Sequence, residues 1–425
     1  MTTSTLAIII FAAILIQTTI LVLIGLHRRK KLQKSQQNLV TKLVQHSSSQ
    51  EDVLSNDQSF NSVFPWSGYR EFRVLRRKME DKNNSICSFY LTSTDGKPLP
   101  SFEPGQFLTF KLQIDNPSSG QSKTVTRCYS LSDRPRPDYY RVSIKRVPAP
   151  VGQPDLPAGI ASNFFHEQVH EGSKLLAKAP SGHFHLMNDE NLPIVLVAGG
   201  IGITPMLSIL NTLIEGGLRR EVWFYFGVRN GDEDMMKNHL RMLAETHTNF
   251  HLHVCYSAPN EDDEEEIDYH HSERISIPLL RSTLSLKRYQ FYVCGPQAMM
   301  ESLVPGLEAW GVDANDIYYE SFGPATLIKQ DRSEQKRLES EPMTITFSSS
   351  DRSLPWDATA DSLLEFAETN DIDVPSGCRA GSCGSCQTSL IKGEVEYNQQ
   401  PDASTEPGHC LLCIARPKGD LVLEA

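Results

Sequence analysis

The chain has 425 residues, of which 39% are hydrophobic and 22% charged. That is globular material with room for two to four domains, so disorder is not its main character. A formal charge of -11 and a pI near 5.7 argue against nucleic acid as the main partner, because backbone-binding surfaces carry an excess of Lys and Arg. Nine cysteines, five of them after residue 377, are odd in number and clustered. They read as a metal site plus buried thiols in a reducing compartment, not as a disulfide scaffold.

Residues 5–26 carry no charged side chain. As a helix they would be roughly 33 Å long, enough to cross a bilayer core. His27, Arg28, Arg29, Lys30, Lys31 and Lys34 follow at once, so the positive-inside bias puts the rest of the chain in the cytoplasm. A cleaved signal peptide is the alternative, but it would carry its basic residues ahead of the apolar run and end in an A-x-A-like site. The predicted layout begins with an N-terminal transmembrane anchor at 1–31 and a Gln-, Ser- and Asn-rich linker at 32–65.

From 66 to 187, alternating runs such as "YREFRVLRR", "SICSFYLTS" and "GQFLTFKLQI" are separated by turn residues and predict a small antiparallel β-barrel. From 188 to 326 the pattern changes to continuous apolar strands, "PIVLVA", "EVWFYFGV" and "YQFYVCGP", alternating with helix-like segments. That predicts an α/β doubly wound parallel sheet. A charged linker at 327–341 leads to a final domain at 342–425. The acidic run "EDDEEEID", 261–268, reads as a solvated loop, with a docking surface for a basic partner as the alternative.

The final domain holds "CRAGSCGSC". Cys378, Cys383 and Cys386 have C-x4-C-x2-C spacing, and "HCLLC" supplies a fourth sulfur at Cys410 or Cys413. Gly381, Ser382, Gly384 and Ser385 are small enough to let backbone N–H groups turn toward the sulfurs. A four-cysteine zinc site uses as many thiolates, but it usually comes as paired C-x2-C knuckles. The segment resembles the plant-type 2Fe-2S ferredoxin domain. The resemblance implies an α+β β-grasp fold and makes Cys413, after the Leu-Leu pair, the fourth ligand.

The barrel contains "RCYSLS", flanked by "PGQF", "YRVSIKR" and "GIASNFFH". An Arg beside an aromatic and a hydroxyl on one strand can hold a diphosphate, cover a planar ring and hydrogen-bond a ring nitrogen. Downstream, "LVAGGIGITPML" joins a buried strand to a helix through Gly199, Gly200 and Gly202, with Thr204 as a polar group ahead of Pro205. Such a turn can bring backbone N–H groups and a helix N-terminus to a pyrophosphate.

Together these blocks resemble the ferredoxin-NADP reductase family, in the arrangement of flavohaemoglobin-like reductase halves. The resemblance implies phosphate, ring and flavin-N5 contacts at Arg127, Tyr129 and Ser130, with Lys145 in the same cofactor-binding set. It implies a flavin diphosphate at Ser162 and Asn163 and a nicotinamide nucleotide at Gly199, Gly200, Gly202 and Thr204. Cys294, Gly295 and Pro296 then lie beside the nicotinamide, and Glu320 and Phe322 at the flavin edge. Tyr129, Ser130, Cys294 and Glu320 form the catalytic set. "GIASNFFH" looks more like the FAD-using relatives than like those that use FMN.

A nicotinamide releases two electrons together and a 2Fe-2S cluster takes one at a time, so a flavin between them is the chemically required order. Reductase followed by ferredoxin is similar to the reductases of multicomponent oxygenases and desaturases and to that of hybrid cluster protein. A protein acceptor at the membrane is expected, whether oxygenase, desaturase or hybrid-cluster type. The flavohaemoglobin likeness does not bring nitric oxide dioxygenation with it, because no globin-like segment precedes residue 66. Arg229 could meet a 2′-phosphate, yet Asp232, Glu233 and Asp234 oppose one, so NADH is expected over NADPH. A module that senses or stores electrons without steady turnover is the alternative function.

Overall fold

The computed structural model describes residues 65–322 and 343–425, apart from 67, 116–121, 150–157, 188–191, 380, 382, 399–400, 402 and 404. Among the described residues no helix is long and apolar enough to cross a membrane. The expected anchor at 1–31, the expected linker at 32–65 apart from residue 65, the expected linker at 327–341 and Ser382 lie outside them.

Six antiparallel strands form the first sheet: β1 (Arg70–Met79), β2 (Ile86–Ser93), β3 (Phe107–Asp115), β4 (Ser122–Ser130), β5 (Tyr140–Lys145) and β6 (Lys174–Ala177). Their order is β4-β3-β6-β1-β2-β5. Alternate residues Leu108, Phe110 and Leu112 of β3 enter a core with Phe72, Phe89 and Tyr140, as the period of two predicts. Helix α1 (Ile160–Gln168) adds Phe165, which meets Phe89, Phe110 and Tyr129 edge-on at 5.2 to 5.4 Å.

The second sheet is wholly parallel. Its strands β7 (Ile194–Gly199), β8 (Val222–Val228), β9 (Phe250–Tyr256), β10 (Gln290–Gly295) and β11 (Ile317–Ser321) run in the order β11-β10-β7-β8-β9. Helices α2 (Ile203–Glu215), α3 (Lys237–Thr246), α4 (Ile277–Thr283) and α5 (Gln297–Trp310) connect them. Val195 and Val197 pack in one hydrophobic cluster while Leu196 and Ala198 pack in another. Burial on both faces is why these strands read as unbroken apolar runs.

The last domain has β12 (Thr344–Phe347), β13 (Arg352–Pro355), α6 (Leu363–Thr369), β14 (Gln387–Lys392), β15 (Val395–Tyr397), β16 (His409–Leu411), β17 (Ala415–Pro417) and β18 (Leu421–Leu423). Five of the strands pair in the order β13-β12-β18-β14-β16 around Phe347, Phe366 and Leu412. Helix α6 starts where Ser362 Oγ accepts from Glu365 N at 3.2 Å, while Glu365 accepts from Asp361 N at 2.6 Å. This reciprocal arrangement satisfies two donors at the helix start.

The turn after β7 is the tightest junction near the expected nucleotide site. A Cβ on Gly202 would overlap the Cys294 carbonyl oxygen, and one on Gly199 would lie 2.7 Å from Pro296 Cδ. Gly200 has φ +52° with open space around it. Gly200→Ala should therefore cost only its left-handed backbone, about 1 kcal/mol. Gly202→Ala forces the turn off β10 and should cost roughly 2–3 kcal/mol. Denaturant midpoints of the two variants check the order.

Candidate functional site

Three of the expected motifs meet at the carboxyl end of β10. Cys294 lies beside Glu320 in the β10–β11 register and beside Ala198 in the β10–β7 register. The glycine turn packs over its carbonyl. From the barrel, Ser130 Oγ reaches Glu320 Oε2 at 3.5 Å. Strand ends from two domains thus place a hydroxyl, a carboxyl and a thiol around one point.

Electrostatics at this point follow from burial. Glu320 keeps some solvent contact as a residue, but its carboxyl lies inside, and desolvation raises it from 4.5 to about 8 against the Ser130 hydrogen bond. It is protonated at neutral pH and able to donate. Burial, reinforced by Glu320, also pushes the Cys294 thiol well up, so this sulfur stays a thiol. Tyr129 is raised too, first by desolvation, and its ring leans on Phe110 and Phe165. Phe322, 40% exposed at the end of β11, leaves an aromatic face uncovered beside Glu320. An open ring, a half-buried tyrosine and a neutral carboxyl donor suit the flat, polar-edged ring of a flavin.

Other expected contacts are placed differently. Thr204 does not cap its helix: α2 begins at Ile203, and the Thr204 hydroxyl donates to Ile201 O at 3.0 Å. Its one donor is spent on the chain itself. Ser162 donates to Gly159 O at 3.1 Å and accepts from Val147 N at 3.2 Å. Asn163 donates to Val147 O and Gly159 O and accepts from Arg146 Nε at 2.6 Å. These two side chains tie the segment before α1 to the end of β5, leaving the backbone N–H groups of the first turn for an anion.

Arg127 and Arg229 are exposed. Lys145 pairs with Glu233 at 2.8 Å, and Lys82 approaches Asp232 at 3.8 Å, both across the two domains. Asp234 is buried, accepts from Tyr256 OH at 2.8 Å and is raised by desolvation to about 6. The acidic trio is thus largely engaged within the protein. Within the run 261–268, Asp268 pairs with Lys237 and Arg241, and Asp263 accepts from Asn260 N at 2.7 Å. Its ends are tied down, while Glu261, Asp262, Glu264, Glu265 and Glu266 stay at or near the surface.

Sequence reading missed Asp133. Its carboxylate accepts from Tyr139 OH at 2.8 Å and Asn211 Nδ2 at 2.9 Å, and its carbonyl accepts from Ser208 Oγ at 2.9 Å. Burial alone would raise this carboxyl, but Arg141 and the hydrogen bonds outweigh it and hold it below the usual range. It joins the barrel to α2. No local signal could reveal this, since Ser208 and Asn211 lie more than 70 residues downstream.

The cysteine loop is wound by left-handed residues: Arg379 at φ +57°, Gly381 at +72° and Gly384 at +68°. A side chain at Gly377 would sit 2.7 Å from Cys383 Sγ, and one at Gly381 would sit 2.5 Å from Ile414 Cδ1. The winding turns amides onto sulfur. Cys378 N and Ser385 N reach Cys383 Sγ at 3.2 and 3.4 Å, Cys383 N reaches Cys378 Sγ at 3.2 Å, and Cys413 N reaches Cys386 Sγ at 3.5 Å. Among the described residues no three His, Cys, Asp or Glu side chains already close on a single metal position. Instead the sulfurs are linked in pairs through amides, Cys378 and Cys383 each taking the other's N–H and Cys386 taking that of Cys413. Two thiolate pairs facing amide donors fit a two-iron cluster better than a single tetrahedral ion. Cys410 points elsewhere in this chemistry: it is buried, and desolvation pushes its thiol up to about 12.

The loop also docks on the barrel. Lys178 Nζ donates to Cys383 O, and the Cys128 thiol lies against the Cys383 side chain. Cys128 and Ser130 are two residues apart on β4, so the outer side of one strand meets the last domain at one position and the nucleotide domain at the other.

Comparison with known proteins agrees with this geometry. Residues 196–304 match the family described as "Oxidoreductase NAD-binding domain", and residues 345–418 match the "2Fe-2S iron-sulfur cluster binding domain". The chain is 40% identical over 259 residues to a flavohemoprotein of Halalkalibacterium halodurans, covering 61% of each protein. A flavohemoprotein of Bacillus cereus is 39% identical over 264 residues, covering 62% of this chain and 63% of that protein. The chain therefore spans less than two thirds of the length of these relatives.

Among solved structures, the FAD/NAD-binding domain of nitric oxide dioxygenase from Vibrio cholerae superposes with a TM-score of 0.51 at 29% identity, over 60% of this chain and 99% of that one. Phthalate dioxygenase reductase, described as a modular structure for electron transfer from pyridine nucleotides to [2Fe-2S], superposes at 0.50 and 26% identity. That match covers 84% of this chain and 98% of the reductase.

Because Glu320 holds its proton more tightly folded than unfolded, its contribution to stability is present below about pH 4.5, falls as pH rises, and is lost above about 8. Glu320→Gln should flatten that fall, which denaturant titrations across this window will read. The chain carries a ferredoxin-reductase-type NAD(P)H oxidoreductase module and a 2Fe-2S domain, with FAD, NAD(P)H and a 2Fe-2S cluster as its cofactors.

Proposed function

We propose that this chain is a membrane-anchored reductase that passes electrons from NADH through FAD and a 2Fe-2S cluster to a protein acceptor. The observation that carries the reading is the pair of contacts on β4: Ser130 with Glu320 and, two residues away, Cys128 with Cys383. At about 3.4 Å per residue these positions are roughly 7 Å apart. A nucleotide site and a cysteine cluster so close have a use in electron transfer that they lack in a storage module with separate parts.

Bound FAD would take the two electrons of a nicotinamide together and release them singly. The chain's own residues supply the rest. The turn at Gly199, Gly200 and Gly202 offers backbone N–H groups to a pyrophosphate, while the first turn of α1, flanked by Arg146, offers the same to the flavin's diphosphate. Tyr129 and Phe322 would bracket the ring. Glu320, which accepts from Ser130 Oγ, is neutral at pH 7 and keeps its own proton at the site. Cys378, Cys383, Cys386 and Cys413 would hold the two irons, and the loop amides would offset the added negative charge on reduction.

Sequence charge supports NADH over NADPH, as Asp232 and Glu233 lie a few residues from Arg229. The apolar run at 5–26 with its basic flank supports an anchor with the catalytic domains facing the cytoplasm. An oxygenase, a desaturase or a hybrid-cluster protein fits the domain order as acceptor.

Cys383→Ser should keep rapid FAD reduction by NADH in stopped flow and lose at least tenfold in steady-state cytochrome c reduction. Unchanged cytochrome c reduction would remove the cluster from the route. Wild-type protein that holds both cofactors yet turns over no acceptor would favour an electron-storing sensor.

A further inference from the structure

A cavity of about 800 Å³ opens between the barrel and the nucleotide domain, within the range of roughly 300 to 1,000 Å³ that suits small molecules. Its walls are the end of β1 and the turn after it, from Lys78 to Lys82, and the segment from Gly231 into the first turns of α3, together with Asp268. None of the residues assigned above to FAD, the nicotinamide nucleotide or the cluster lines it.

Two acidic side chains, one from each domain, line this cavity and are buried. The Glu80 side chain is 1% exposed and Asp234 is 6% exposed. Among the described residues, neither Glu80 Oε1 nor Asp234 Oδ1 has a hydrogen-bond partner. A buried carboxylate oxygen without a donor is costly, and burial pushes the Asp234 carboxyl up to about 6.

The cations around these oxygens are already engaged. Lys78 pairs with the other Glu80 oxygen at 2.6 Å, Lys237 and Arg241 pair with Asp268, and Lys82 approaches Asp232 at 3.8 Å. Asp81 takes the Ser85 hydroxyl and the Ser85 and Ile86 amides, and Tyr256 OH donates to Asp234 Oδ2. The unmet demand is therefore for donors.

We propose that this cavity binds an aliphatic polyamine, with one ammonium on Glu80 Oε1, a second on Asp234 Oδ1, and the methylene chain between them along Met79 and Met236. The two acceptors come from different domains, so donors at both ends of a chain reach them where one small ion does not. A divalent metal fits poorly, because among the described residues no three His, Cys, Asp or Glu side chains close on a single metal position. A phosphate would bring acceptors to a site that calls for donors. Flexible methionine side chains adapt to a methylene chain, and a formal charge of -11 draws a cation from a distance.

Spermidine is titrated into the full chain, loaded with FAD and cluster, at roughly 0.15 M salt, where exposed charges are screened beyond about 8 Å. Isothermal titration calorimetry should show one spermidine per chain. Glu80→Gln and Asp234→Asn should each weaken binding at least tenfold, while Glu265→Gln, on the exposed part of the acidic run, should leave it unchanged. If Asp234→Asn does not fold, Glu80→Gln decides by the same tenfold criterion.

Binding that is absent, that takes several equal sites, that survives in Glu80→Gln, or that falls equally in Glu265→Gln would overturn the proposal. So would displacement of spermidine by an equal concentration of Mg²⁺, the mark of charge screening alone.

Discussion

The arrangement depends on the two-residue period of one β-strand. Cys128 and Ser130 of β4 face the same way, and each is met by a different domain: Cys383 at one position, Glu320 at the other. Electron transfer tolerates little distance, and an extended strand is a stiff ruler of about 3.4 Å per residue. The ruler is held straight by its β3 partner, with register unbroken from Phe107–Ser130 to Asp115–Ser122. A one-residue slip would turn both contacts into the barrel core.

Buried polar links keep the barrel against the nucleotide domain. Asp133 receives Asn211 and Tyr139, and its carbonyl receives Ser208, with Arg141 nearby at 4.0 Å. Removing one member leaves the others desolvated and unpaired, which costs more than the bond itself contributes. The surface pairs Lys145–Glu233 and Lys82–Asp232 add less, being exposed to solvent and salt. A buried carboxylate thus does the joining, and Lys145, expected to meet a cofactor, serves the same junction.

The cysteine loop follows a different physical logic. Its residues are chosen for backbone direction: positive φ at Arg379, Gly381 and Gly384 turns successive amides toward Cys378 and Cys383. Arg379 is not a glycine, and its strained conformation is matched by an ion pair to Glu368 at 2.5 Å. The loop then presents Cys383 to the barrel, and burial holds the thiols of Cys87, Cys255 and Cys410, three of the five cysteines outside the ligand set, above the usual thiol range.

Local chemistry determined much from sequence alone. Period-two and continuous apolar runs made the barrel and the parallel sheet legible, because burial on one face or two leaves a direct trace in residue order. Cysteine spacing and glycine placement made the cluster loop and nucleotide turn legible, because both are short-range requirements on the backbone. Only the tertiary structure decided that Thr204 bonds back to Ile201, that Asn163 ties its own loop, that Asp133 joins two domains, and that Cys128 meets Cys383. Each of these is a choice among polar partners distant in the chain, and a hydrogen-bonding side chain carries no mark of which partner burial will bring to it.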